Sequence, residues 1–122
     1  MNTHYEGIEP RREEVDALAG PTLLEFGSPW CGYCRMAQPL LEQALKNHEG
    51  IRHIKIADGS GRRLGRSYKV KLWPTLIFLK DGVEAARLVR PGDPNDSTHQ
   101  SAKDILRSLE LIDRDLTPHR HR

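Results

Sequence analysis

Ser28-Pro29-Trp30-Cys31-Gly32-Tyr33-Cys34-Arg35 holds both cysteines of the chain, three positions apart, between an apolar run and an amphipathic one. Upstream, Thr22-Leu23-Leu24-Glu25-Phe26-Gly27 is apolar on both faces except for one acid, the pattern of a strand covered on both sides. Downstream, Met36, Leu40, Leu41, Ala44 and Leu45 recur at helical spacing, which predicts a helix over residues 31–47. The cysteines thus fall on the first turn of that helix, close enough for a disulfide to close and open again. A C-x-x-C set between strand and helix reads as a redox pair. Half of a structural zinc site is the alternative, but a closed zinc site needs four Cys or His ligands. The body of the chain offers no second pair. His119 and His121, the one close histidine pair, stand in a basic terminal run.

The totals agree with a chemical role for the pair. A chain of 122 residues makes one domain that buries about two-thirds of its unfolded surface, so it folds without a disulfide framework. A bridge between residues three apart would close a tiny loop and add little stability. No apolar run approaches the length of a transmembrane helix. The first residues carry Arg11-Arg12-Glu13-Glu14 and no apolar core, so no signal peptide is expected, and a cytoplasmic setting is. A net charge of +2 is too small to argue for nucleic acid.

Outward from the motif, Pro10 stands where a short helix can begin, with Val15 and Leu18 as its apolar stripe and Gly20-Pro21 as its end. Pro39 lies inside the long helix and should bend it. Residues 51–57 read as a second strand with Ile54 and Ile56 on one face. Residues 59–65 form a glycine-rich loop leading into a short helix near residues 64–68. Residues 75–80 are a doubly buried strand, and Asp81-Gly82 turns the chain back into an edge strand at residues 84–89. Residues 91–100 read as a long polar loop. Ser101 then caps a last helix that carries Ile105, Leu106, Leu109 and Ile112 toward the sheet. Residues 1–116 are expected to form the single domain and residues 117–122 a disordered basic tail. An N-terminal strand would have to come from residues 3–8, a weak candidate.

Trp30-Cys31-Gly32-Tyr33-Cys34, Pro39 eight residues after Cys31, and Trp73-Pro74-Thr75 ahead of Leu-Ile-Phe-Leu occur in one order along the chain. In that order and spacing the chain resembles the thioredoxin family, well over residues 22–89 and compatibly in the last helix. The resemblance implies an α/β thioredoxin fold: a central mixed sheet built as β-α-β, then a β-hairpin and a C-terminal helix, flanked by helices. It also implies a thiol–disulfide oxidoreductase that needs no cofactor or metal. Its partners would be proteins carrying disulfides and a thioredoxin-reductase-like or glutathione-linked electron donor. The chain would act as a monomer, away from membranes and nucleic acid.

Cys31 would lie at the helix N-terminus, where free N–H groups and the helix dipole favour a thiolate, and so would be the nucleophile. Cys34 would resolve the mixed disulfide. Glu25 matches the family's buried acid beneath the cysteines, thought to relay a proton, and burial alone should raise its pKa. Lys55 falls at the family's lysine position as a partner for Glu25, with a solvent-facing strand lysine as the alternative. Pro74 resembles the family's cis-proline, which leaves the preceding backbone free to pair with an extended substrate.

Three residues depart from the pattern. Tyr33 replaces the usual proline between the cysteines, a Gly-Tyr dipeptide like that of envelope disulfide isomerases, and suggests a less reducing couple. Trp73 replaces a small aliphatic residue, and with Trp30 and Tyr33 it would form an aromatic rim around the cysteines, Gly32 joining them on the substrate-binding surface; core packing is the alternative for Trp73. Arg90 falls where the family keeps a glycine that lets a partner's backbone approach. The basic residues Arg62, Arg63, Arg66, Lys69 and Lys71 read as a solvated face, with an acidic partner as the minority reading. His4, His48, His53 and His99 are scattered and suggest no site.

Three rivals to a disulfide reductase follow from these features. One is an isomerase or oxidase of the cell envelope, and a second is a redox-sensing binding module that does not turn over. The third is a metal or cluster carried between two subunits by Cys31 and Cys34. Glutaredoxin is disfavoured because no glutathione-binding signature surrounds Trp73-Pro74.

Overall fold

Leu23, Leu24 and Phe26 admit no water, and the strand that carries them is the spine of the sheet. The computed structural model describes residues 1–95 and 101–114. Its elements are β1 (Tyr5–Glu6), α1 (Arg12–Asp16), β2 (Pro21–Gly27), α2 (Gly32–Leu45), β3 (Arg52–Ala57), α3 (Arg63–Ser67), β4 (Thr75–Lys80), β5 (Val83–Val89) and α4 (Ala102–Asp113). The strands lie in the order β1-β3-β2-β4-β5. β1 and β2 flank β3 in parallel, and β4 and β5 run antiparallel.

Alternation along β2 divides the core. Leu23 joins Leu41, Leu45, Leu76, Phe78, Ile105, Leu109 and Ile112 beneath α2 and α4. Leu24 and Phe26 point the other way and meet Val15, Ile56, Leu64, Tyr68, Ile77 and Leu79. Ile54 and Ile56 share this second face, as the alternation in β3 requires. Glu25, Lys55 and His53 are left by parity on the α2 side.

The short elements owe more to their contacts than to local preference. β1 is two residues long and is held by its pairing of Tyr5 with Lys55 and Glu6 with Ile56. α3 spans Arg63–Ser67 although it includes Gly65, where any Cβ would collide with the Asp58 carboxylate. The last helix is closed at its start by Ser101, whose N–H donates to Asp104 at 2.8 Å. β5 begins at Val83, one residue earlier than its polar pattern suggested. Of the loop expected at residues 91–100, residues 96–100 lie outside the described residues, as do His99 and the tail expected at residues 117–122. Among the described residues no helix is long and apolar enough to cross a membrane.

Candidate active site

β2 ends at Gly27, and the chain crosses Ser28–Trp30 to enter α2 with Cys31 as its N-cap. Cys31 keeps extended dihedrals (φ −83°, ψ 118°), so its side chain turns back over the first turn and accepts the backbone N–H of Cys34 at 3.1 Å. Both cysteines are free thiols; Cys31 is partly exposed and Cys34 is buried. Burial, with the hydrogen bond to the Cys31 side chain second, pushes the Cys34 thiol up to about 12. The two sulfurs therefore differ in access and in the cost of carrying charge.

Beneath them lies a closed polar floor. Glu25 faces Lys55 across the parallel β2–β3 pairing, and its carboxylate is 3.6 Å from the Lys55 ammonium. Gln38, one turn beyond Cys34 on α2, donates to Glu25 Oε2 at 2.8 Å and to the Cys34 carbonyl at 2.9 Å. Lys55 Nζ in turn donates to Gln38 Oε1 at 3.0 Å. His53, two residues before Lys55 and so on the same face, reaches Glu25 Oε1 at 2.8 Å. Its Nδ1 accepts the Asn2 backbone N–H at 3.1 Å, which leaves Nε2 to carry the ring proton donated to Glu25.

These partners reverse the expectation for Glu25. Burial pushes its pKa up, but the hydrogen bond from His53, the charge of Lys55 and the hydrogen bond from Gln38 outweigh it, and the pKa ends below the ordinary value. Lys55 is buried, which removes the solvent-facing alternative. His53 was assigned to no site by its position in the sequence, and the structure sets it against the acid. The signal was present: with Ile54 and Ile56 facing the core, His53 and Lys55 must share the other face with Glu25. Tyr5, singled out by nothing in the sequence, also reaches this floor. Its ring lies under the Lys55 ammonium at 4.7 Å, and its hydroxyl and the Cys34 sulfur both border Gly27 at the end of β2.

Above the cysteines the side chains are open. Trp30 is 86% exposed, and Tyr33 and Trp73 are half-buried. Trp73 precedes Pro74 through a cis peptide bond, and its carbonyl lies 4.0 Å from Cys31 Sγ. The Trp73 indole donates to Asp58 at 2.9 Å, so its ring is tethered at the edge of the site and not sunk in the core. Arg90 joins this edge from the end of β5. Its guanidinium stacks 4.1 Å over the Tyr33 ring, and its Nε donates to the Trp73 carbonyl at 2.9 Å. Arg90 holds a positive φ of 50°, a conformation that explains why glycine suits the position.

The remaining sequence features lie elsewhere. His48 bonds to Asp113 at 2.7 Å on the far end of α2, and His4 is exposed, with its backbone N–H on the Asn2 side chain. Of the basic run, Arg62 is turned inward to the Ala57 carbonyl at 2.9 Å, whereas Arg63, Arg66, Lys69 and Lys71 are exposed. Among the described residues no group of three or more His, Cys, Asp or Glu side chains is arranged to hold a metal ion.

Comparison with known proteins agrees with this architecture. The family model described as Thioredoxin matches residues 9–103. A thioredoxin of Pseudomonas aeruginosa is 30% identical over 92 residues, covering 72% of this chain and 85% of its own. A chloroplastic M-type thioredoxin of Triticum aestivum is 35% identical over 69 residues, 56% of this chain and 39% of the relative, so the match spans well under half of that protein. The structure of thioredoxin 2 from Pseudomonas aeruginosa PAO1 in its reduced form superposes with a TM-score of 0.76 at 50% identity, over 92% of this chain and 96% of that one. With its redox pair capping α2 at the end of the central strand, the chain belongs to the thioredoxin family and is a thiol–disulfide oxidoreductase.

Proposed function

We propose that the chain reduces disulfides in protein substrates, with Cys31 as the attacking thiolate and Cys34 as the resolving thiol. The observation that carries this reading is the asymmetry of the pair: Cys31 Sγ is accessible and accepts a backbone N–H at the helix start, whereas Cys34 is buried with its thiol pushed up to about 12. The Cys31 thiolate attacks one sulfur of a substrate disulfide. A Cys31–substrate bond forms as the substrate S–S bond breaks, and the first substrate thiol leaves. Cys34 then attacks Cys31, closes the Cys31–Cys34 disulfide and releases the second thiol. The pair is oxidised by two electrons and the substrate is reduced by two. An external dithiol donor, a thioredoxin-reductase-like protein or a glutathione-linked one, restores the pair.

Glu25 acts in this scheme through its charge. Held ionised beneath the pair by Lys55, His53 and Gln38, it adds to burial and to the neighbouring Cys31 in disfavouring a negative charge at Cys34, and of these only the Cys31 charge is removed when the mixed disulfide forms. Trp30, Gly32, Tyr33, Trp73, Pro74 and Arg90 make the surface on which an extended substrate is read. The chain works as a monomer in the cytoplasm, where a reductant is useful.

Trapping tests the roles. Cys34→Ser should accumulate mixed disulfides with substrate proteins and Cys31→Ser none; equal trapping by both variants would overturn the assignment. A second reading, isomerase or oxidase, draws on Tyr33 between the cysteines, with the Arg90 guanidinium stacked on its ring. The reduction potential separates the two. A value near roughly −270 mV supports the reductant, and one of about −180 to −120 mV the isomerase or oxidase in an oxidising compartment.

A further inference from the structure

Tyr5 is brought to the cysteines by a strand only two residues long. The β1–β3 register sets it beside Lys55, which is itself opposite Glu25 in β2, so the three side chains form one row across the sheet. The Lys55 ammonium lies 4.7 Å from the centre of the Tyr5 ring and fixes it against the floor. The Tyr5 hydroxyl and the Cys34 sulfur border the same opening at the Gly27 backbone. Gly27 makes room for that meeting: a Cβ there would stand 2.5 Å from Cys34 Sγ and 3.2 Å from the Tyr5 hydroxyl oxygen. Phenol and thiol thus share the space that the absent side chain leaves open at the end of β2.

We propose that Tyr5 is a catalytic residue of the resolving step, donating its hydroxyl hydrogen bond to the Cys34 sulfur as that sulfur becomes anionic. The need for such a donor follows from the surroundings. Cys34 is buried, and with Cys31 bonded to the substrate the Glu25 carboxylate still opposes a charge on it. A phenolic O–H beside the sulfur is a neutral donor that offsets this without adding a competing ion. Burial, and then the Cys34 and Glu25 charges, push the phenol's own pKa up, so Tyr5 keeps its proton and serves as a donor and not as a base.

Cys34 gives its proton to water, and the resulting thiolate, held by Tyr5, attacks Cys31 Sγ. The Cys31–Cys34 bond forms as the Cys31–substrate bond breaks. The electron pair leaves on the substrate sulfur, which takes a proton from water.

The inference rests on Cys34 being the resolving thiol, and one experiment tests the two separately. A reduced sample is mixed with 5,5′-dithiobis(2-nitrobenzoate), and release of the coloured thiolate is followed by stopped flow. The first release reports attack by Cys31 and the second reports closure by Cys34. Tyr5→Phe keeps the ring under Lys55 and removes only the hydroxyl. A tenfold loss of thiolate at Cys34, offset by the higher nucleophilicity of a more basic thiolate at a Brønsted slope of about 0.5, should slow the second release about threefold. The first release should be unchanged, which also shows that the variant is folded. An unaltered second phase would overturn the role of Tyr5, and so would equal slowing of both phases, since that is what a purely structural role predicts. If Cys34→Ser still shows both releases, the assignment of the resolving thiol fails and that of Tyr5 falls with it.

Discussion

The floor beneath the cysteines and the rim above them are built on opposite principles. In the floor, the side chains of Glu25, Lys55 and His53 are withdrawn from water and, with the half-buried Gln38, satisfy one another through a continuous set of hydrogen bonds. In the rim, Trp30 is exposed, and Arg90 holds its place by one stacked ring and one carbonyl. Charges in the floor interact in a low dielectric, where each partner matters, whereas charges in the rim are screened by solvent and ions. The floor therefore governs stability and the protonation of the pair, and the rim governs which substrates approach. Mutations that separate those two outcomes test the division.

The largest effect should come from removing the acid. Glu25→Leu leaves the Lys55 ammonium buried without its counter-charge and the His53 donor without its acceptor, which should cost ~3–5 kcal/mol in urea or guanidinium unfolding. The double variant Glu25→Leu/Lys55→Met replaces the pair by apolar side chains of similar volume, and part of the loss should return. A double variant less stable than Glu25→Leu alone would mean that Lys55 is held by Tyr5 and Gln38, and that the floor is not organised around the carboxylate.

Next in size is an acid-dependent loss. The folded pKa of Glu25 is depressed below its ordinary value of 4.5, so the unfolded chain binds the proton more readily. Its contribution is then fully present above about 4.5 and disappears as the pH falls through the lower, folded value. Unfolding free energies of the parent and Glu25→Gln, measured from neutral pH down through this window, should converge as the pH falls. A constant difference would show that Glu25 contributes as a hydrogen-bonding group and not as a charge.

How legible this floor was in the sequence depended on whether a residue's role is set by its own strand or by its neighbours. Strands such as residues 22–27 and 75–80 declared themselves, because an unbroken apolar run is excluded from water whatever surrounds it. Cys31 was legible for a related reason: a helix start is a local event, and its N–H groups come with it. Glu25 was recognised as a buried acid, but the direction of its pKa was not legible, because burial is readable from one strand whereas His53, Lys55 and Gln38 arrive from two other elements. The parity of β3 could have found His53, and an i+4 step from Cys34 could have found Gln38. Tyr5 had no such signal. Two residues of strand carry no period, and their place is fixed only by pairing with Lys55 and Ile56.

The smallest change in stability, and the sharpest test of the rim, should come from Arg90→Gly. The side chain supplies about 0.5–1 kcal/mol of stacking on Tyr33 and about 1 kcal/mol through its hydrogen bond to the Trp73 carbonyl. Against this, glycine relieves the left-handed backbone at φ 50°, worth roughly 1–2 kcal/mol. The two nearly cancel, and the unfolding midpoint should barely move. Substrate choice should move. Arg90 places a cation at the carbonyl 4.0 Å from Cys31 Sγ, where a substrate disulfide must arrive. With peptide disulfides that differ only in carrying Glu or Lys beside the cysteine, the preference in kcat/KM for the acidic peptide should fall about fivefold in Arg90→Gly, the worth of one exposed charge pair near 1 kcal/mol. If stability drops by several kcal/mol while the preference stays fixed, Arg90 belongs with the floor, and the division between the two regions is wrong.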